Sequence, residues 1–106
     1  MNLKITRPTL ILDKQKCLNN IKFMVEKGKK NNLKFRPHFK THQSSIIGNW
    51  FRDFGVKSIT VSSVGMAEYF AENGWKDITI AFPFNLLEMD KINELAAKIY
   101  LHILIV

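Results

Sequence analysis

The chain has 106 residues, one cysteine and a net charge of +7. That length bounds it to one domain at most, and the lone Cys17 excludes an intrachain disulfide. No apolar run reaches the roughly 18 to 20 residues that span a bilayer, and residues 1–8 carry charge without the apolar stretch of a signal peptide, so no membrane association and a cytoplasmic setting are expected. The positive excess leaves nucleic acid, an anionic surface or an anionic cofactor as partners. Its densest part, Lys27, Lys29, Lys30, Lys34 and Arg36, reads first as a solvated helix end, where lysine opposes the negative end of the helix dipole.

Residues 9–12 are a short apolar strand candidate, and Asp13 can cap the helix that follows. Leu18, Ile21, Met24, Val25 and Gly28 recur at helical spacing, and the helix should stop at Asn31 and Asn32. Residues 33–40 are the next strand, with Leu33 to Phe35 as its buried start. Ser44 or Ser45 caps a second helix with Ile46, Ile47, Trp50, Phe51 and Phe54 on one face, and Gly55 sits where a left-handed residue closes a helix. A strand is expected over 58–62 and a third helix over 64–73, ended by Gly74. Another strand follows over 77–82. Asn85 with Glu88 signals a helix start, continued by Leu87, Ile92, Leu95 and Ala96. The apolar run 100–106 suits a strand buried on both faces. Such alternation means α/β architecture with a parallel sheet. Crossovers alone leave a doubly wound sheet and part of a (β/α)8 barrel both open.

The chemistry gathers in 33–43. If the chain stays extended there, Arg36, His38 and Lys40 share one face while Phe35, Pro37 and Phe39 share the other. Pro37 cannot donate to a ladder, so it belongs near a strand end or an irregularity. Lys40 is the sharpest candidate, as an amine nucleophile among cations. His38 and His42 have a spacing that could hold zinc on a helix, but the segment is not helical before Thr41 and no third ligand lies near, so no metal site is assigned. Cys17 has no basic partner in view and reads as inert. His102, between Leu101 and Ile103, is a core or lumen-facing histidine.

Arg36-Pro37-His38-Phe39-Lys40-Thr41-His42 resembles the R-P-H-x-K-T-H motif of the D-threonine aldolase and D-serine dehydratase group, within the alanine-racemase-like, fold type III pyridoxal-phosphate (PLP) enzymes. Arg7-Pro8-Thr9-Leu10-Ile11-Leu12-Asp13 is similar to the opening of that family, and Ser62-Ser63-Val64-Gly65-Met66-Ala67-Glu68 to its next strand-to-helix turn. Gln43 departs from the family, which usually has lysine there, as does Arg-Pro-Thr in place of Thr-Pro at the opening. The resemblance implies an α/β fold that is the first part of a PLP-binding (β/α)8 TIM barrel, incomplete. Residues 1–32 would precede the barrel, with the first strand in a separate β-rich domain, and 33–106 would be its first β/α units.

By the same resemblance Lys40 would hold PLP as a Schiff base. His38, Arg36 and Thr41 would contact the cofactor, His42 would assist the lysine or the substrate, and Lys40 and His42 would be the catalytic pair. Arg36 has a plainer reading as the partner of an acid on a neighbouring strand, and Thr41 as a cap. Any divalent metal of the parent enzyme would be bound outside this chain. The implied reaction is retro-aldol cleavage or β-elimination on a β-hydroxy D-amino acid, with racemisation as the alternative on the same scaffold. A complete barrel needs roughly 250 residues, so the chain is expected to be an N-terminal fragment, inactive alone, whose open sheet edges invite self-association or a homo-oligomer. A small basic α/β module binding nucleic acid or another anion through 27–42 is the other reading. It is disfavoured because no nucleic-acid motif is present.

Overall fold

The computed structural model describes residues 2–106. Helix α1, Lys14–Lys30, begins where the Asp13 carboxylate accepts the Lys16 N–H. It presents Ile21, Val25 and Gly28 inward, the i, i+4, i+7 spacing of one face, while Met24 stays exposed. Helix α2, Ser45–Asp53, is capped by Ser44, and α3, Val64–Glu72, by Ser63. Both end in the same way. Gly55 and Gly74 take positive φ (+85° and +92°), and the next residues, Val56 and Trp75, donate back to Phe51 and Phe70. This left-handed closure satisfies the last carbonyls and turns Val56 and Trp75 straight into the core. A 3-10 turn, Leu86–Glu88, leads into α4, Met89–Ala96.

Strands β1 (Ile59–Val61), β2 (Asp77–Pro83) and β3 (Tyr100–Leu104) form one parallel sheet in the order β1-β2-β3. Alternation sorts the side chains. Ile59, Val61, Ile78 and Ile80 are buried with Val64, Ala67 and Phe70 of α3 and with Ile92 and Leu95 of α4. Ser58, Thr60, Thr79 and His102 take the opposite, polar face. The expected α/β class with a parallel sheet is therefore present.

Several local expectations fail. Residues 9–12 form no strand, and Leu10 is 94% exposed, because a strand exists only through a partner and none lies alongside. Over 33–40 a single bridge, His38 to Thr60, joins β1, and the chain winds into a 3-10 turn at Phe39–Thr41. Leu33 is exposed, not a buried strand start. Pro37 offers only its carbonyl, which accepts the Thr60 N–H at 2.8 Å. Residues 100–106 are not buried on both faces: β3 pairs on one side only, and Tyr100, Ile103, Leu104, Ile105 and Val106 are exposed. Ile46, on the first turn of α2, and Leu87, in the 3-10 turn before α4, also face solvent.

Gly48 of α2 marks the closest approach in the core. An added Cβ there would come within 3.1 Å of the Phe39 ring, which is hemmed in by Phe51, Phe70, Trp75 and His42. Gly48→Ala gains helix propensity but overpacks a ring that cannot yield. A net destabilisation of about 1–2 kcal/mol is expected, read as a lower urea midpoint; an increase would show that the ring has room to move.

Candidate functional site

The polar face is laid out in rows. His38, Thr60, Thr79 and His102 stand in register across the sheet. Toward the N-terminal ends of the strands, Asp77 gathers the charges. Its carboxylate accepts from Arg36 Nη1 at 2.6 Å, Lys34 Nζ at 2.6 Å and Ser58 Oγ at 3.1 Å. His102 Nε2 lies 3.6 Å from the same carboxylate and 3.5 Å from Arg36 Nη2. Burial alone would push the Asp77 carboxyl up, but the hydrogen bonds from Arg36, Lys34 and Ser58 and the Arg36 charge together hold it well below the usual carboxylate range.

The opposite, C-terminal end of the rows carries the turn 38–43. His38 Nδ1 accepts the backbone N–H of Lys40 at 3.2 Å. Burial, then the Lys40 charge, lowers the His38 pKa, so the neutral imidazole is favoured. With Nδ1 occupied as an acceptor, the proton of that neutral ring sits on Nε2. Thr41 Oγ1 reaches His42 Nδ1 at 3.2 Å and the His38 carbonyl at 3.5 Å. Gln43 Nε2 donates to the Lys40 carbonyl at 3.3 Å. Lys40 itself is exposed.

His42 goes elsewhere. Its ring stacks on Phe51, with centroids 5.6 Å apart and planes 16° from parallel, and meets Phe39 edge-on at 4.5 Å. Burial lowers its pKa, and its Nε2 is buried without a hydrogen-bond partner. The structure thus brings His38, Lys40 and Thr41 into one turn, sends the His42 ring into the aromatic cluster, and ties Arg36 to Asp77. Among the described residues no three His, Cys, Asp or Glu side chains gather as a metal site, and no helix is long and apolar enough to cross a membrane.

No family model matches the chain. D-threo-3-hydroxyaspartate dehydratase from Delftia sp. (strain HT23) is 32% identical to it over 79 residues, covering 74% of this chain and 21% of that enzyme. The solved structure of that dehydratase superposes with a TM-score of 0.89 over 96% of the chain, at 25% identity. An alanine-racemase-like protein from Idiomarina loihiensis gives a TM-score of 0.87 at 26% identity, again over 96% of the chain. The chain resembles the alanine-racemase-like enzymes and shares the fold of their N-terminal part. D-threonine aldolase from Filomicrobium marinum shares the fold, with a TM-score of 0.84 at 24% identity over 91% of the chain. The chain matches the N-terminal part of this fold and spans 26–28% of the length of these three structures.

Two residues of the candidate site escaped sequence reasoning. Asp77 is the acid that meets Arg36, and a signal for it exists: an acid opening the alternating run Asp77-Ile78-Thr79-Ile80 must face away from the core. Gln43 shows in sequence only as a departure from the motif. Its grip on the Lys40 carbonyl depends on a backbone conformation that no spacing rule announces.

Proposed function

We propose that the chain supplies the cofactor-lysine segment of a PLP-dependent lyase acting on β-hydroxy D-amino acids, by loss of water or by cleavage of the Cα–Cβ bond. The observation that carries this reading is the Lys40 turn: its backbone is held by hydrogen bonds at both ends, its side chain is free, and it lies past the paired ends of parallel strands, where α/β chemistry concentrates. Residues 33–106 would be the first β/α units of the barrel and 1–32 would precede it. The fold of the group and its dehydratase and aldolase neighbours support the reading.

The residues present fit the cofactor. Lys40 would hold it through its amine. His38, neutral and bearing its proton on Nε2, would contact the ring, and Thr41 borders the same turn. When bound, PLP supplies an electron sink for the bonding pair released at the substrate Cα. This chain's part is to present Lys40 as the amine that gives and takes a proton there. Arg36 contributes by anchoring the segment below His38 to Asp77. His42 contributes by fixing the turn from within the aromatic cluster.

The test is intact mass after incubation with PLP and borohydride, followed by peptide mapping. One phosphopyridoxyl adduct on Lys40 is expected, absent from Lys40→Ala. That variant should unfold within about 0.5 kcal/mol of the original, because the side chain is exposed. Labelling scattered over many lysines, or none, would remove the basis for the assignment.

A further inference from the structure

Between His38 and Gln43 the chain leaves an extended path, makes one 3-10 turn and reverses. Gln43 completes the reversal at φ +46°, a left-handed conformation that a glutamine rarely adopts because its Cβ crowds the backbone. Two contacts accompany that conformation. The Gln43 N–H donates to the Phe39 carbonyl at 3.0 Å, and the side-chain Nε2 reaches back to the Lys40 carbonyl at 3.3 Å. At the other end of the turn, the Lys40 N–H is taken by His38 Nδ1. Both backbone polar groups of Lys40 are therefore met by side chains, while its own side chain is exposed. Phe39, which precedes Lys40, is fully buried, so the turn is anchored on its inner side and clamped on its outer side by Gln43.

The geometry points to Gln43 as a positioning residue for Lys40: its amide fixes the Lys40 carbonyl, and so the direction in which the Lys40 side chain leaves the turn. Gln43 touches no reacting atom in this scheme; it acts through the lysine's backbone. The inference rests on the reading of Lys40 as the cofactor lysine and deepens it.

The experiment uses the full chain. PLP is added, adducts are trapped with borohydride at a series of pH values, and peptide mapping gives the labelling rate of Lys40 relative to exposed Lys22 on α1 and Lys91 on α4 in the same molecules. Gln43→Met removes the amide donor. Gln43→Asn suits a left-handed backbone better than glutamine but shortens the arm, which separates the hydrogen bond from backbone strain. Both variants should lower the Lys40 ratio about two- to five-fold, the worth of one modest hydrogen bond, with the unfolding midpoint little changed in Gln43→Met and unchanged or raised in Gln43→Asn. A purely structural role would move the midpoint and all three lysines together. Preferential Lys40 labelling that survives Gln43→Met overturns the role of Gln43 alone. Equal labelling of Lys40 and the reference lysines in the unaltered chain overturns both this inference and the reading beneath it.

Discussion

Phe39→Ala is expected to cost about 3–5 kcal/mol, the loss typical of deleting a buried aromatic ring. Phe39 is 0% exposed and touches the rings of His42, Phe51, Phe70 and Trp75 at centroid distances of 4.5–5.1 Å. Removal would leave a cavity bounded by elements far apart in sequence, α2, α3 and the Trp75 loop, which cannot all collapse into it. The same ring seats the turn that presents Lys40, so selective labelling of Lys40 should fade along with stability. Phe39→Leu, which keeps most of the volume, should lose clearly less. Urea unfolding of the three proteins gives the comparison, and a loss below about 1 kcal/mol for the alanine variant would mean that the cluster is not the centre of the core.

Asp77→Ala is the second large effect, at about 2–4 kcal/mol. The side chains of Asp77 and Arg36 are 18% and 19% exposed. Deleting the carboxylate strands a half-buried guanidinium and a buried Ser58 hydroxyl, and an orphaned charge costs more than the pair contributes. Lys34, at 64% exposure, is mostly screened by water, so Lys34→Ala should lose less than about 1 kcal/mol. The pH dependence has a definite sign. The folded-state pKa of Asp77 lies below its unfolded value. Its stabilisation is therefore complete above the ordinary carboxylate value, about 3.9, and drains away as pH falls from there toward the folded value. Asp77→Asn should flatten that acid limb. An unchanged slope between about pH 4 and pH 2 would assign acid sensitivity to other carboxylates.

Helix boundaries were legible because they are local chemistry: Asp13 and Ser44 start helices, and Gly55 and Gly74 stop them, within a few residues of chain. The alternating strands at 59–61 and 77–83 were legible through period-two burial, whereas the turn at Phe39–Thr41 was not, since 33–40 reads as a strand throughout. The strand expectations at 9–12 and 33–40 failed. Residues 9–12 have strand composition, but ladder hydrogen bonds need a partner that composition does not name. Residues 35–38 run extended, then the chain winds up from Phe39, because His38 Nδ1 and Thr41 offer the backbone nearer partners than a ladder does. His42 carries the composition of a catalytic group, yet its environment is made by Phe51 and Phe70, residues on other helices.

The charge gathering at Asp77 has a further consequence, for how the sheet finds its alignment during folding. Side chains alternate along β2, so sliding it one residue against β1 would carry the Asp77 carboxylate into the place of Ile78, among Phe70 and Ile59, and turn Ile78 to water. Such a slip would remove one aliphatic side chain from the core and strand both a carboxylate and its arginine, so misaligned pairings are rejected by several independent terms at once. A residue that reads as part of a functional face thereby also sets the reading frame of the strands.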